Sequence, residues 1–289
     1  MPTKRPDLAA AEYTSTGYLH RIVAPALPVY QAGGTLYYTP ITARTAAQKG
    51  RVSLGEVTAA NAAAASKVFA CQEILSRKRM GYAEVTQGYS DLLTAELDMA
   101  AAGKDEVEAA IEAALATPLL ADPEDISSSS NLPGDVETLA AELMDKAPDQ
   151  EVALILSSKV FTSLKSNGEI KERMRNTGIA IGEGGDPRSV TAAQLAAIFG
   201  VHRVLVGKTS IWGGTTGVLA MIPHREKAQN QEAQLARVVT YTGEPVDGIP
   251  FTCESFEDNN LKGYVVDTLT QADVVILNAG LKKSVTLLA

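Results

Sequence analysis

Three places in this 289-residue chain hold residue types that could do chemistry. The first is Ile181-Gly182-Glu183-Gly184-Gly185-Asp186, the segment most like a loop that cradles phosphate. Backbone N–H groups in a glycine-rich turn can bind phosphate oxygens when a strand leads in and a helix N-terminus follows. Here Arg175-Asn176-Thr177 leads in and Pro187 follows, without the full dinucleotide glycine pattern or a lysine–threonine ending. Glycines in such a setting ordinarily supply turns. The second place is Gly207-Lys208-Thr209, which looks like the tail of a P-loop. Val201-His202 stands where the upstream glycine is required, so Lys208 reads as a charged residue ending a strand. The third is a thin set of histidines and cysteines. His202 and His224 have no Asp, Glu or Cys at a spacing that would ligate a metal with both, and His20 is the remaining histidine. Cys71 follows Phe69-Ala70 in an apolar context and reads as a small buried hydrophobe, because a nucleophilic cysteine needs an electropositive setting. The expectation is therefore no catalytic residue, no cofactor-binding residue, no metal ligand and no cofactor.

Composition narrows the class further. With 45% apolar residues the chain can build a real core, or two linked ones. A formal net charge of −8 argues against a dedicated nucleic-acid-binding surface, which is normally basic. Cys71 and Cys253 lack metal spacing and form no disulfide framework, which fits a reducing compartment. The sequence holds no apolar run of about 18 residues, the length of a membrane-spanning helix. Its start, MPTKRPDLAAAEYTST, has no apolar stretch of the kind a secretory signal carries.

The elements that would position any site are α+β in pattern. Glu151–Ser157 has the length of a buried strand, and Ser157 or Ser158 can cap the helix that follows. That helix carries Val160, Phe161 and Leu164 on one face and ends near Ser166-Asn167-Gly168. The charge-rich Lys165–Arg175 reads as a solvated helix face. Thr191 opens another helix with Leu195, Ile198 and Phe199 on one side, and Gly200 can close it in the left-handed conformation. Val201–Val206 is a β-branched strand. The strongest helical signal is 82–117, with Leu93, Leu97, Ala100, Lys104, Val107, Ile111 and Leu115 in one stripe. Gly103 would bend or interrupt this helix and Pro118 would stop it. Residues 121–134 read as a loop and Asp135–Lys146 as a helix.

Residues 1–32 hold Pro2, Pro6, Pro25 and Pro28 with little periodicity, and read as an extended arm rather than a packed element. Leu36, Tyr37, Tyr38 and Ile41 suggest a strand returned by Val52 and Leu54 across the polar Thr42–Gly50, a long hairpin. Val68, Phe69 and Ile74 are the expected buried positions of the return. Val218–Ile222, 237–242, Tyr264–Leu269, Val274–Leu277 and Val285–Leu288 read as strands.

The succession EVALILSSKVFTSLKSNGEIKERMR, then TAAQLAAIFGVHRVLVG, resembles the major capsid proteins of tailed bacteriophages, which share the Hong Kong 97 capsid fold also seen in bacterial encapsulins. In that family a strand leads into a helix, and a later helix ends before a strand crossing the axial domain. The resemblance is motif-like over about a third of the chain and looser in layout elsewhere. It implies an N-terminal arm at 1–32, an E-loop hairpin and its return at 33–80, and a peripheral domain with a spine helix at 81–121. It further implies an axial domain at 122–250 and C-terminal strands joining the peripheral domain at 251–289. An arm and an E-loop lying over neighbouring subunits would explain why so much of the first 80 residues cannot bury itself alone. A first 30 residues folded onto the chain's own core would count against that picture.

Under this resemblance the chain is a structural protein, not an enzyme, that assembles with itself into the hexamers and pentamers of an icosahedral shell. The implied partners are a separate scaffolding protein, a portal, decoration proteins, and packaged double-stranded DNA touched non-specifically on the inner face. The implied place is the virion, assembled in the host cytoplasm, with no membrane. Two other readings stand beside it. One is an encapsulin-type compartment shell. The other, of a different class, is a small α/β nucleotide-dependent enzyme using Gly182–Gly185.

Overall fold

The computed structural model describes residues 3–10, 18–38, 40, 65–147, 150–176, 190–222, 234–241, 249–260 and 262–288. In chain order the strands are β1 (Thr3–Lys4), β2 (Ala26–Val29), β3 (Gly33–Tyr38), β4 (Ala65–Ala70), β5 (Gln72–Gly81), β6 (Glu124–Asp125), β7 (Glu151–Ser157), β8 (Arg203–Gly207), β9 (Thr216–Ile222), β10 (Ala236–Tyr241), β11 (Thr252–Asp258), β12 (Gly263–Ile276) and β13 (Lys282–Thr286). They form a six-stranded sheet built around β12, a five-stranded sheet in the order β6-β13-β9-β7-β8, and the β3–β4 hairpin. The long helix Leu92–Leu120 packs on β12 and β5, and also reaches β9 and β13 of the five-stranded sheet.

The β7-to-β8 unit follows its sequence closely. Val152 to Leu156 are at most 1% exposed, and β7 lies between β9 and β8. The Ser157 hydroxyl caps the helix Ser158–Ser166 by accepting from Val160 N–H at 3.2 Å. A second helix, Gly168–Asn176, buries Ile170 and Met174 completely, so the charged stretch has an apolar inner face. Thr191 and Gln194 form a capping box on the helix Ala192–Ile198. Gly200 has φ of +62°, the left-handed turn that ends that helix. β8 then returns parallel to β7.

Other expectations need correction. The described N-terminal residues, 3–10 and 18–29, are not an unpacked arm. Leu8, Tyr18, Leu19, His20, Val23 and Ala24 are buried, β1 pairs with β11, and β2 pairs in parallel with β10. The prolines mark element edges instead. Pro6 occupies the first position of the helix Pro6–Ala10, where a missing N–H costs nothing, and Pro28 lies in β2, the last strand of its sheet. The hairpin of β3 and β4 is present, but its tip, with Ile41, Thr42–Gly50, Val52 and Leu54, lies outside the described residues. Val68 is 79% exposed because the alternation turns Phe69, not Val68, inward. Cys71 is half-buried, its thiol donating to the Val239 carbonyl at 3.6 Å.

The two strands expected over 264–277 are one strand, β12. Thr268 and Thr270 are buried there and continue the inward alternation that an apolar-only pattern breaks. The last strand, β13, expected beside the spine helix's sheet, pairs with β9 in the five-stranded sheet. Conversely β10 pairs with β12 in the six-stranded sheet, although it falls inside the expected axial span.

The long helix also differs in detail. It begins at Leu92, capped by Asp91 accepting from Thr94 N–H at 2.7 Å, after a separate helix Tyr82–Gly88. Leu93 is exposed. Pro118 does not stop it, because a proline this near the end removes one hydrogen bond and the remaining carbonyls find another donor. Lys282 Nζ donates to the carbonyls of Pro118, Leu119 and Ala121 at 2.9, 3.1 and 3.1 Å, placing a cation at the helix C-terminus. Gly103 neither bends nor breaks the helix. A Cβ there would stand 2.5 Å from Thr268 Oγ1 and 2.8 Å from Thr268 Cβ, so glycine lets the helix lie against β12. Gly103→Ala should therefore destabilise the protein although alanine is about 1 kcal/mol better in a helix, because overpacking costs about 1–3 kcal/mol. Urea unfolding should show a lower midpoint, and a raised midpoint would show that the helix has room to move off the strand.

Candidate functional site

The long helix carries a polar cluster on the face it buries. Glu96, Lys104, Glu108 and Glu112 are between 0% and 6% exposed, interleaved with Ala100, Val107, Ile111 and Leu115. Buried charge is costly unless paired and hydrogen-bonded, and the N-terminal residues supply many of the partners. Arg5 bridges Glu96 at 2.6 Å and the exposed Asp7 at 2.7 Å. The hydrogen bond to Asp7 is the largest cause raising the Arg5 guanidinium above its ordinary value, and it holds the Asp7 carboxyl low. Lys104 Nζ donates to the Ala9 carbonyl at 3.0 Å, and burial pushes this ammonium down. Arg21 pairs with Glu108.

Glu112 is the centre of the cluster. One carboxylate oxygen accepts from Trp212 Nε1–H at 2.6 Å, and the other accepts from Leu19 N–H at 2.5 Å. His20 Nδ1 lies 3.5 Å from that second oxygen, and the His20 ring nitrogens have no hydrogen-bond partner among the described residues. One turn away, Lys208 Nζ donates to Tyr18 Oη at 2.6 Å and stands 4.1 Å from the centroid of its ring. Tyr18 Oη in turn donates to the Asp105 carbonyl at 2.9 Å. The hydrogen bond to Tyr18 is the main cause raising the Lys208 ammonium, while burial raises the Tyr18 hydroxyl. Three parts of the chain thus meet on residues 105–112: the N-terminal residues, the long helix, and the short helix Thr209–Trp212 after β8.

This cluster was not singled out from the sequence, apart from Lys104 in the stripe. Glu96, Lys104, Glu108 and Glu112 recur at steps of four and eight on the apolar face, which is the signal that points to them. Its chemistry is that of a structural junction, with the His20 ring nitrogens the buried polar atoms in it that lack a hydrogen bond among the described residues. Each carboxylate is held by donors, with no cavity beside it for a substrate among those described.

The segments with chemical potential lie elsewhere and are not brought together. Gly182–Gly185 and His224 are outside the described residues. Lys208 is engaged with Tyr18, and Thr209 meets the Ser158 hydroxyl at 2.8 Å and accepts from Lys159 N–H at 3.1 Å. His202 Nδ1 accepts from Val152 N–H at 3.1 Å at the start of β8. Burial raises both cysteine thiols, Cys71 and Cys253, and Cys253 packs with Leu8, Met99 and Val266. No group of three His, Cys, Asp or Glu side chains suited to a metal occurs among the described residues. An open groove of about 430 Å³ beside β8 is lined mostly by alanine and apolar side chains, including Ala192, Ala196, Val201 and Leu205.

With this geometry in view, comparison with known proteins addresses the architecture. No protein-family model and no curated protein matches the chain. Solved structures do. A phage-related protein from Bordetella bronchiseptica RB50 aligns with TM-score 0.71 at 18% identity, over 99% of this chain and 98% of that one. The capsid of cyanophage P-SCSP1u aligns with TM-score 0.57 at 9% identity, over 96% and 91%. A virus-like particle from Pyrococcus furiosus aligns with TM-score 0.53 at 10% identity, over 97% and 95%. The chain has the α+β fold of phage capsid proteins, the Hong Kong 97 type, from end to end. The packed N-terminal residues thus remove the unpacked arm and leave the fold intact.

An exposed ion pair elsewhere on the long helix gives a pH test. Glu106 pairs with Lys78 of β5 and accepts from the Ser76 hydroxyl at 2.6 Å. The Lys78 hydrogen bond, then that of Ser76, holds its carboxyl below the ordinary value of 4.5. A depressed carboxyl stabilises the fold above its unfolded pKa and loses that contribution as pH falls through the folded one. Lys78→Met should be less stable than the parent at neutral pH, with the gap closing on acidification below about pH 4.5. Urea midpoints at neutral and acid pH measure this; a gap that persists unchanged in acid would show that the pair contributes nothing.

Proposed function

We propose that this protein is the major capsid protein of a tailed phage or of a related particle, a non-enzymatic subunit that tiles a closed icosahedral shell. The observation that carries the reading is the agreement with a cyanophage capsid structure and a phage-related protein over at least 91% of each chain. The residue chemistry is consistent with it: the carboxylates of the buried polar cluster hold the N-terminal residues and the Trp212 helix to the long helix. The peripheral part would be the six-stranded sheet with the long helix, and the axial part the five-stranded sheet with its flanking helices. The shell would enclose double-stranded DNA, with an inner wall that tolerates the packed DNA without a dedicated binding surface, as the net charge of −8 allows. A scaffolding protein, a portal and decoration proteins would be its other partners, the virion its place, and the host cytoplasm the site of assembly.

The likeness to the Pyrococcus virus-like particle is compatible with a second reading of the same fold, an encapsulin-type compartment shell that holds cargo in place of a genome. Neighbouring genes separate the two: portal and terminase genes mark the phage shell, a cargo-enzyme gene the compartment.

The protein should be expressed alone and with its neighbouring genes, with mass measured by light scattering and the same fractions viewed by electron microscopy. Uniform hollow shells, or rings of five and six subunits, are expected in at least one preparation. A monomer or dimer in both, with tight nucleotide binding abolished by Gly184→Val, would overturn the shell in favour of the enzyme.

A further inference from the structure

Glu112 is completely buried, and its carboxyl accepts N–H donors from two different parts of the chain, with His20 Nδ1 3.5 Å from the oxygen that Leu19 meets. Leu19 N–H comes from the N-terminal residues, and Trp212 Nε1–H from the short helix that follows β8. The link is doubled beside it, where Lys208 reaches Tyr18, which in turn donates to the Asp105 carbonyl. A buried carboxylate that loses a donor must take up water or a proton, and water reaches Glu112 only if one of the two covering segments lifts.

We propose that Glu112 is a coupling latch: the N-terminal residues 18–24 and the turn 207–213 engage and release together because they satisfy one buried charge. The fold then contains a conformational device in which a disturbance of the five-stranded sheet's β8 end is felt by the N-terminal residues. The proposal is independent of shell formation, so either can fail without the other.

Hydrogen exchange of the full-length protein, read by mass spectrometry, tests it. Trp212→Phe keeps an aromatic ring but removes the N–H donor. Exchange within 18–24 should rise by about tenfold or more, the scale of an unsatisfied buried charge. Adding Glu112→Gln removes the charge that demands hydration, and should bring exchange at 18–24 back to the level of Glu112→Gln alone. Lost packing would not be repaired by that second change. Unchanged protection at 18–24 in Trp212→Phe, or a loss that Glu112→Gln leaves in place, overturns the latch. Should Trp212→Phe not fold, Glu112→Gln alone decides. Protection at 18–24 and at 207–213 should then fall by the same factor, with a shift in the emission of Trp212, the chain's single tryptophan. A fall in one segment only would refute the coupling.

Discussion

The structure depends on one constraint: a 29-residue helix buries ionisable side chains on the face it turns to the core. An apolar face would pack against any apolar surface, whereas this one accepts only a surface that brings donors and charges to fixed positions. The N-terminal residues are that surface. Arg5, the Ala9 carbonyl, Leu19 N–H and Arg21 meet Glu96, Lys104, Glu112 and Glu108 respectively. A buried polar seam adds little net stability but is unforgiving of misregister, so it specifies where the N-terminal residues lie along the helix.

The same helix sets the relation of the two sheets. Gly103 lets it approach Thr268 of β12, and its C-terminal carbonyls are taken by Lys282 of β13. Glu112 adds the third tie through Trp212. Each tie comes from a different part of the chain, so the helix cannot shift against one sheet without strain at the other.

Much of the fold was legible in the sequence, and what was missed has physical causes. The unit from Glu151 to Gly207 follows the rules of local structure: a short apolar run, hydroxyl caps, a glycine at the αL position and a β-branched return. The long helix was found for its alanines and its stripe, but its partner was not. Periodicity counts apolar residues, and Glu96, Glu108 and Glu112 read as surface positions until the donors that cover them are known. The prolines of the first 30 residues suggested extended backbone, which β1 and β2 are, but extended backbone does not reveal whether a sheet edge awaits it. β12 was split for a related reason, since Thr268 and Thr270 occupy interior positions that an apolar pattern scores as a break. The polar junction at Glu112 was illegible because its members are separated by about a hundred residues in sequence, and spacing rules see only local chemistry.

These features describe a capsid-type fold organised around its long helix, with the described N-terminal residues packed on the chain's own helix. The most direct measurement is a cryo-electron microscopy reconstruction of the particles formed when the protein is expressed with its neighbouring genes. The account predicts a closed shell in which residues 18–24 of each subunit lie on that same subunit's helix, with Leu19 against Glu112. A closed shell in which these residues cross to another subunit's helix would contradict the intrasubunit seam, and the absence of any closed particle would contradict the shell itself.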